Sequence, residues 1–382
     1  MLFLVLKEVI TIKKILFGIT SLTLGGAERV LVDISNKLSE KYDITIFSIY
    51  DNGELKNDLN KNVKFKALYN CRYDELTKLQ KMWIPIKILL FSKIIYNKKI
   101  KQNYDTEIAF LEGPITRLFS TKNKDVHKIA WIHSDIEKIF GESFKSKIKK
   151  YVDKTIYKRY DNLVFVSQDN MQKFQTVYND LSTENMHVIY NYIDKDLVIE
   201  KSNRSINIEF DKNITNFVTV CRLVKAKAID RFIRVHSKLI KRGLKHKVYI
   251  IGDGPEKENL QKLIKQENVE DTFVLLGKKE NPYPYIKNAN YFCLLSEFEG
   301  YGMVLEEAKI LNKPIIITNT AARECIENYP KALILENSED EIYDGLYKLL
   351  NDNDDKIFNN TQTSTEYDNT EKLQKIIELV GD

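Results

Sequence analysis

The chain has 382 residues, of which 43% are hydrophobic and 30% charged, and its formal net charge at pH 7 is +5. The length excludes one ordinary core and predicts two domains of similar size, and the composition is normal for a globular protein. The cysteines lie far apart in no paired motif, which excludes a disulfide framework or a zinc site and favours a reducing, cytoplasmic compartment.

The positive charge is concentrated in the first half of the chain. Residues 1–200 carry 32 Lys and Arg against 25 Asp and Glu, whereas residues 201–382 carry 27 against 29. This asymmetry predicts that the first half faces an anionic partner. The apolar N-terminus is interrupted by charges from Lys7 onward, so it is shorter than the roughly 18 residues of a membrane span. Residues 1–11 are interpreted as a short extension.

Short apolar segments alternate with helical patterns, an order typical of parallel βαβ units. Residues 27–38, AERVLVDISNKL, are predicted as the first helix. The predicted strands of the first domain are 13–19, 43–49, 63–68, 105–110, 128–133, 162–167 and 186–191. The predicted strands of the second domain are 216–220, 247–252, 272–277, 291–296, 313–318 and 331–335.

Two Rossmann-like, doubly wound parallel-sheet domains are therefore expected, facing each other across a cleft. Their predicted bounds are 1–195 for the first domain, 196–213 for a linker and 214–365 for the second domain, and residues 366–382 are predicted as a helix that packs back toward the first domain. Residues 351–370 are predicted as a loop or weak helix. Ligands of such sheets bind beyond the carboxyl ends of the strands, so the loops after strands are the candidate sites.

Two such loops belong to the first domain. Gly25 and Gly26 precede the first helix, where glycines let a ligand approach and the helix start offers N–H groups, although an ordinary tight turn explains them equally well. His133 in WIHSD directly follows a strand, and a lone histidine is more often structural than functional. The other four histidines show no ligand spacing.

Two more loops belong to the second domain. In CRLVKAK, Arg222 and Lys227 can grip a diphosphate, the alternative being a solvated basic stretch. In SEFEGYGMVLEEA, Gly300 and Gly302 leave bare N–H groups at a helix start, which suits phosphate. From that helix Glu307 can accept ribose hydroxyls, and Glu299 can bind those of a second sugar. Glu306 is expected to face solvent.

These motifs, taken together, resemble those of the retaining glycosyltransferases of family 4, which have the two-domain fold called GT-B. SEFEGYGMVLEEA resembles the E-x7-E motif of that family, and the resemblance covers nearly the whole chain. Further segments with the family's pattern are LGGAERVLVDISNKL, WIHSD, FVSQDNMQKF, VIYNYID with Asn191, CRLVKAKAID and IIGDGPEKENL. Cys221 and Ala228 depart from it, because the family commonly has glycine at both places.

The resemblance implies that residues 1–195 form the acceptor domain and residues 214–365 the donor domain, and it implies a role for each matched residue. The catalytic set is His133, Arg222, Lys227 and Glu299. The donor-binding set is Gly25, Gly26, Arg222, Lys227, Glu299, Gly300, Tyr301, Gly302, Met303, Val304 and Glu307. Arg222 and Lys227 stabilise the departing diphosphate, so neither a metal nor a cofactor is expected.

The expected function is metal-independent transfer of a sugar, with retention, from a nucleotide sugar to a glycan or lipid-linked acceptor of a bacterial surface polysaccharide. Uridine is the expected base, and no nucleic-acid partner is predicted. Two alternatives stay open: an inactive GT-B partner subunit of a transferase, and a nucleotide-sugar epimerase.

Residues 81–103, KMWIPIKILLFSKIIYNKKIKQN, have two interpretations. An apolar stripe of Ile84, Ile88, Phe91 and Ile95, with basic residues at its end, is typical of a helix that lies on an anionic membrane, and Trp83 and Tyr96 suit the interface. Apolar residues on the other faces favour a helix buried in the first domain. The first interpretation predicts a peripheral protein of the inner membrane face.

Overall fold

The structure is a computed structural model that describes residues 12–51, 53–73, 75–102, 104–135, 144–352, 358 and 367–381. The chain divides into two compact units. The first contains residues 1–193 and 370–382, and the second contains residues 194–369. The predicted extension 1–11 and most of the predicted loop 351–370 lie outside the described residues.

Within the described residues, the first unit is built on a seven-stranded parallel sheet. Its strands are β1 (Lys14–Ile19), β2 (Asp43–Tyr50), β3 (Lys64–Tyr69), β4 (Thr106–Ala109), β5 (His127–Ile132), β6 (Asn162–Phe165) and β7 (Met186–Val188). They run in the order β3-β2-β1-β4-β5-β6-β7. Strands such as β1 are buried on both faces, which explains their continuous apolar runs.

Helices connect these strands and cover the sheet. They are α1 (Gly26–Leu38), α2 (Lys78–Ile95), α3 (Pro114–Phe119), α4 (Phe144–Tyr157) and α5 (Gln168–Val177). A short 3-10 turn lies at Glu54–Asp58, and a π-helical turn at Tyr96–Ile100 follows α2 directly. The first core is rich in aromatic rings, including Phe119 and Phe174.

The second unit repeats the architecture with a six-stranded parallel sheet among the residues that the structure describes. Its strands are β8 (Thr215–Val220), β9 (His246–Ile251), β10 (Phe273–Gly277), β11 (Tyr291–Leu294), β12 (Ile315–Thr318) and β13 (Ala332–Leu335), in the order β10-β9-β8-β11-β12-β13. Its helices are α6 (Lys195–Ser202), α7 (Ile229–Lys241), α8 (Lys257–Glu267), α9 (Tyr283–Asn288), α10 (Met303–Ile310), α11 (Arg323–Ile326) and α12 (Glu339–Asp352). The prediction of two doubly wound parallel sheets is confirmed.

Two elements complete the description. Helix α6 lies in part of the predicted linker, where Asp194 caps it by accepting a hydrogen bond from the Leu197 N–H at 3.0 Å. The last helix, α13 (Thr370–Gly381), belongs to the first unit. There Ile376 and Val380 are fully buried, and the Thr106 hydroxyl donates to the Val380 carbonyl at 3.2 Å.

Candidate functional site

The carboxyl ends of β8 and β11 bring two of the predicted loops together. These strands are parallel neighbours, with Tyr291 opposite Phe217, so both loops leave the same edge of the sheet. The Phe298 N–H donates to the Ala226 carbonyl at 3.2 Å. Residues 222–227 and 297–302 therefore form one continuous surface of the second unit.

An ion pair joins the two loops. Lys227 Nζ contacts Glu299 Oε2, and the two side chains are only 19% and 14% exposed. Partial burial strengthens such a pair relative to one on an open surface. An ammonium group has three donors, so Lys227 can hold a second anionic acceptor beside Glu299. The sequence predicted both residues as site residues but did not predict that they touch.

The loop that carries Arg222 rests on the turn after β9. The Arg222 side chain is exposed, and the next residue, Leu223, donates its N–H to the Asp253 carbonyl at 3.0 Å. Gly252 has φ +149°, and a Cβ atom there would overlap the carbonyl oxygen of Cys221. The turn at residues 252–255, GDGP, therefore needs glycine at position 252, because the loop that carries Arg222 lies directly against the backbone there.

The two departures from the family pattern are both accommodated. Ala228 adopts the left-handed conformation with φ 48° and ψ 37° and precedes α7, so it takes the backbone shape that glycine adopts most easily. This conformation costs an L-residue about 1–2 kcal/mol. Cys221 is partly buried, and burial raises the pKa of its thiol to about 12, so it stays neutral at pH 7.

The glycine-rich segment leads into α10 as predicted. Gly302 has φ +71° and accepts the Leu305 N–H at 2.8 Å, which makes it the left-handed residue from which the helix begins. Met303 and Val304 form the first turn, where backbone N–H groups lack partners within the helix. A Cβ atom at Gly300 would meet open space among the described residues. The segment thus offers an uncrowded anion-binding surface.

Glu307 and Glu306 have different surroundings. Glu307 Oε1 accepts a hydrogen bond from the Tyr283 hydroxyl at 3.2 Å, a contact with no local sequence signal. The expectation that Glu306 faces solvent is wrong, because its side chain is 1% exposed. Its Oε1 accepts the Tyr301 hydroxyl at 2.6 Å and lies 3.3 Å from Cys325 Sγ. The side chain of Tyr301 therefore anchors the loop to the interior, and only its backbone remains for a ligand.

In the first unit, His133 directly follows β5. The centroid of its imidazole ring lies 4.7 Å from that of the Phe110 ring. Burial lowers the pKa of His133 to about 3, so its imidazole is neutral at pH 7. Its Nε2 is buried and has no hydrogen-bond partner within the described part of the chain. A buried nitrogen without a partner is costly and available to a ligand.

Sequence reasoning missed Glu112, which holds the loop that carries His133. Its Oε1 accepts the N–H groups of His133 and Ser134, both at 2.6 Å. Burial raises the pKa of Glu112, and these hydrogen bonds oppose that rise. Glu112 comes from the end of another strand, β4, so no local pattern around WIHSD could have revealed it.

The pair Gly25 and Gly26 begins α1 as predicted. Gly25 is extended, with φ −153°, and its carbonyl accepts the Arg29 N–H at 3.0 Å. The carboxylate of Glu28 lies against Gly25 in the first turn of the helix. Burial raises the pKa of Glu28. A carboxyl group of the protein itself thus already occupies the start of α1.

Helix α2 presents apolar side chains on two sides. Ile84 and Ile88 are buried in the first core, Ile95 is partly buried against it, and Phe91 is 48% exposed, so most of the predicted stripe faces inward. Tyr96 is also buried and is not an interfacial residue. The exposed set, which we call the outer face of α2, is Leu79, Met82, Trp83, Ile86, Leu89, Leu90, Phe91 and Ile94.

Comparison with known proteins identifies both units. Residues 24–197 match the family model of Glycosyltransferase Family 4, and residues 198–365 match that of Glycosyl transferases group 1. The chain is a glycosyltransferase. This transferase is 28% identical, over 87% of its length and 89% of the relative, to the N-acetylgalactosamine-N,N'-diacetylbacillosaminyl-diphospho-undecaprenol 4-alpha-N-acetylgalactosaminyltransferase of Campylobacter jejuni.

Further relatives and solved structures agree with this assignment. The transferase is 24% identical to the poly(ribitol-phosphate) alpha-N-acetylglucosaminyltransferase of Staphylococcus aureus, over 68% of its length and 51% of the relative. Its fold matches Anabaena HepE in complex with UDP and glucose, with a TM-score of 0.72 at 17% identity, covering 97% of this chain and 99% of HepE. The fold is therefore GT-B. Two further relatives are named for bacterial polysaccharide biosynthesis, one for O-antigen in Escherichia coli and one for capsular polysaccharide in Staphylococcus aureus.

Proposed function

We propose that this glycosyltransferase moves a sugar from a UDP-sugar to a glycan or lipid-linked acceptor, with retention and without a metal ion. The observation that carries the proposal is the joined surface of residues 222–227 and 297–302, where a cation, an anion and a glycine-rich helix start meet. Two comparisons support the ligand classes. HepE was solved with UDP, and the Campylobacter relative is named for a diphospho-undecaprenol acceptor.

The chemistry assigns a task to each group. The bond between the anomeric carbon and the diphosphate oxygen breaks, and the electron pair leaves with the diphosphate. Arg222 and Lys227 stabilise the charge that develops there. The acceptor hydroxyl bonds to the anomeric carbon on the face that the diphosphate leaves, and its proton passes to the departing phosphate. In the first unit, the buried Nε2 of the neutral His133 is available to hydrogen-bond a sugar hydroxyl.

The ion pair between Lys227 and Glu299 is expected to open when the donor binds. The arriving diphosphate competes for the Lys227 ammonium, which releases the Glu299 carboxylate to accept hydroxyls of the transferred sugar. Glu307, held by the Tyr283 hydroxyl, accepts the ribose hydroxyls. Donor binding thereby exchanges one set of charge-assisted contacts for another.

Removing either cation should test this assignment. Lys227→Ala and Arg222→Ala should each slow transfer by about a hundredfold, since a contact that strengthens in the transition state is worth roughly 3 kcal/mol. Lys225→Ala is the matched control, because Lys225 is exposed in the 3-10 turn Lys225–Lys227 that also carries Lys227. Release of UDP from a panel of UDP-sugars, with a panel of methyl glycosides present as acceptors, measures the effect. Turnover within a factor of three of wild type in both variants would end the assignment.

Binding of the nucleotide can be tested without an acceptor. UDP at a hundred times its dissociation constant should stabilise the wild type by about 2.7 kcal/mol in a thermal-shift experiment. The wild type should bind UDP better than 2'-deoxy-UDP, and Glu307→Ala should abolish that preference. Equal binding of the two nucleotides to the wild type would remove Glu307 from the ribose site. Stronger stabilisation by GDP or ADP would reassign the base.

The alternatives differ in their products. A transferase releases free nucleoside diphosphate only when acceptor is present, whereas an epimerase returns a new nucleotide sugar without acceptor. An inactive partner subunit does neither. The catalytic alternative is favoured because one unit carries all four charged residues of the candidate donor site: Arg222, Lys227, Glu299 and Glu307. The first three lie on the joined surface.

We also propose that the outer face of α2 binds an anionic membrane surface. Trp83 is 57% exposed and Leu90 68% exposed, and basic side chains such as Lys93 and Lys98 lie along the same helix and the turn that follows. Within the described ranges, no helix is both long and apolar enough to cross a bilayer. Apolar side chains flanked by lysines are typical of a helix that lies in the interface.

A liposome sedimentation experiment tests this surface. Trp83→Ser with Leu90→Ser should abolish binding to vesicles that contain anionic lipid, because it removes apolar area that inserts into the interface. Tyr151→Ser is the control, since Tyr151 is a 68% exposed aromatic residue elsewhere in the same unit. Wild-type protein that stays in the supernatant with anionic vesicles would contradict the proposal.

A further inference from the structure

Residues 295–298 lead from the end of β11, at Leu294, to Glu299. Three consecutive carbonyl groups of this segment accept hydrogen bonds from side chains of other elements. They are the carbonyl of Leu295, bonded to Arg231 Nη2 at 2.9 Å, that of Ser296, bonded to the Thr318 hydroxyl at 2.5 Å, and that of Glu297, bonded to Asn337 Nδ2 at 2.9 Å. Side chains rather than the strand ladder of the sheet therefore hold the path of the segment toward Glu299.

Arg231 is the buried cation of this set. It lies in the first turn of α7, shortly after Lys227, and is 7% exposed. Besides the Leu295 carbonyl, its Nη2 contacts Asn337 Oδ1 at 2.8 Å. An ionised donor makes hydrogen bonds about twice as strong as those between neutral groups. One buried guanidinium thus ties the segment after β11 to Asn337, which lies in the loop after β13.

Asn337 carries this connection to the backbone beside Glu299. Its side-chain oxygen is held by Arg231, and because an amide has its acceptor and its donor on different atoms, this contact directs Nδ2 toward the Glu297 carbonyl. Asn337 itself is exposed, so its replacement removes hydrogen bonds without opening the core. A residue outside the joined surface therefore reaches the backbone that carries Glu299.

The held segment ends at the ion pair of Lys227 and Glu299. The Phe298 N–H donates to the Ala226 carbonyl at 3.2 Å, which fixes the backbone just before Glu299 to the turn that carries Lys227. The proposed arrival of the diphosphate draws Lys227 away from Glu299. From then on the contacts of residues 295–298 keep the carboxylate in place, and a displacement of about 1 Å at a reacting site can cost about a hundredfold in rate.

We propose that Asn337, held by Arg231, is a positioning residue that sets the carboxylate of Glu299 for the hydroxyls of the transferred sugar. This inference rests on the proposed function of Glu299. Asn337 does not bind the sugar and acts through the Glu297 carbonyl. Loss of this hydrogen bond lets the segment shift, which weakens recognition of the sugar and leaves the contacts to the nucleotide in place.

Isothermal titration calorimetry on the full chain tests the proposal with UDP and with UDP-glucose, UDP-galactose, UDP-N-acetylglucosamine and UDP-N-acetylgalactosamine. The quantity compared is the sugar ratio, which is the Kd of UDP divided by the Kd of the UDP-sugar that the wild type binds most tightly. Asn337→Ala should lower the sugar ratio by about fivefold, with the Kd of UDP changed by less than about twofold.

Asn337→Asp separates positioning from stability. Its carboxylate still accepts from Arg231, so the thermal midpoint should not fall, but an oxygen replaces the Nδ2 donor opposite the Glu297 carbonyl, so the sugar ratio should fall at least as far as in Asn337→Ala. The ratio cancels the general effect of added negative charge on UDP binding. Asn312→Asp is the matched control and should keep the wild-type ratio, because Asn312 is exposed before β12, at the amino ends of the strands and away from the joined surface.

A double variant shows whether Asn337 acts through Glu299. Glu299→Ala should lower the sugar ratio, and Glu299→Ala with Asn337→Ala should lower it no further. An unchanged ratio in Asn337→Ala or in Asn337→Asp, or a further fall in the double variant, would overturn the positioning role while leaving the proposed function intact. A wild type that binds neither UDP nor any UDP-sugar, or a ratio that Glu299→Ala does not change, would instead remove the proposed function, and this inference with it.

Discussion

Replacing Lys128 by methionine should strongly destabilise the first unit, because it leaves the carboxylate of Glu107 buried without its cation. The two side chains are 3% and 0% exposed, and Lys128 Nζ lies 2.6 Å from Glu107 Oε2. The same ammonium donates to the Phe119 carbonyl at 2.8 Å, and the Tyr96 hydroxyl donates to Glu107 Oε1 at 2.6 Å. The substitution removes two of these contacts at once.

Breaking a buried ion pair from one side costs about 3–5 kcal/mol. This is a large part of the 5–15 kcal/mol that stabilises a typical domain. The double variant Glu107→Gln with Lys128→Met removes both charges and keeps an acceptor for Tyr96, so its main loss is the donor to Phe119, about 1 kcal/mol. The second substitution should therefore restore at least about 2 kcal/mol.

Urea unfolding followed by tryptophan fluorescence measures these differences, since both tryptophans, Trp83 and Trp131, belong to the first unit. Lys61→Met is the control, because Lys61 is exposed and its loss should change the unfolding free energy by less than about 0.5 kcal/mol. The reasoning is refuted if Lys128→Met unfolds at the wild-type midpoint, or if the double variant is no more stable than the single one.

Three further predictions concern the second unit. Ala228→Gly should raise the urea midpoint of the second unit by an amount equivalent to about 0.5–1 kcal/mol, followed by far-UV circular dichroism because both tryptophans lie in the first unit. Glycine adopts the left-handed conformation without strain, so a lower midpoint would contradict this. Gly252→Ala should lower UDP binding in a thermal-shift assay by displacing the loop at Cys221, and unchanged binding would argue against that loop as the diphosphate site. Burial lowers the pKa of His236 to about 2 and that of His246 to about 4, so the unfolded state binds more protons below about pH 6.5 and stability falls as the pH drops from 6.5 to 4. His236→Gln should flatten that loss by up to about 1.4 kcal/mol per pH unit in urea titrations, and an unchanged slope would refute it.

The sheets were predictable because the strands in the middle of each sheet are buried on both faces and therefore appear in the sequence as short apolar runs. The loops of the candidate site were predictable for a related reason, since Arg222 and Glu299 closely follow such runs. The contact between these two loops was not predictable, because the ion pair of Lys227 and Glu299 depends on β8 and β11 being neighbours in the sheet. Strand order across a crossover leaves no mark on local sequence.

The mistaken expectations have physical causes as well. Helix α2 has apolar residues on several faces. Their spacing could not show that Ile84 lies on the buried face and Trp83 on the exposed face. Glu306 follows a glycine loop and looks like a surface residue, but Tyr301 of that loop folds back onto it and Cys325 reaches it from α11. Helix α6 is only eight residues long and weakly amphipathic, and its best signal was the capping residue Asp194.

The place of α13 has a consequence for biosynthesis. Its buried residues Ile376 and Val380 belong to the first unit, although the second unit, residues 194–369, precedes α13 in the chain. The ribosome therefore releases α13 only after the whole second unit. Until then the first unit lacks one helix, and a stop codon between the second unit and α13 would injure the half of the protein that was made first.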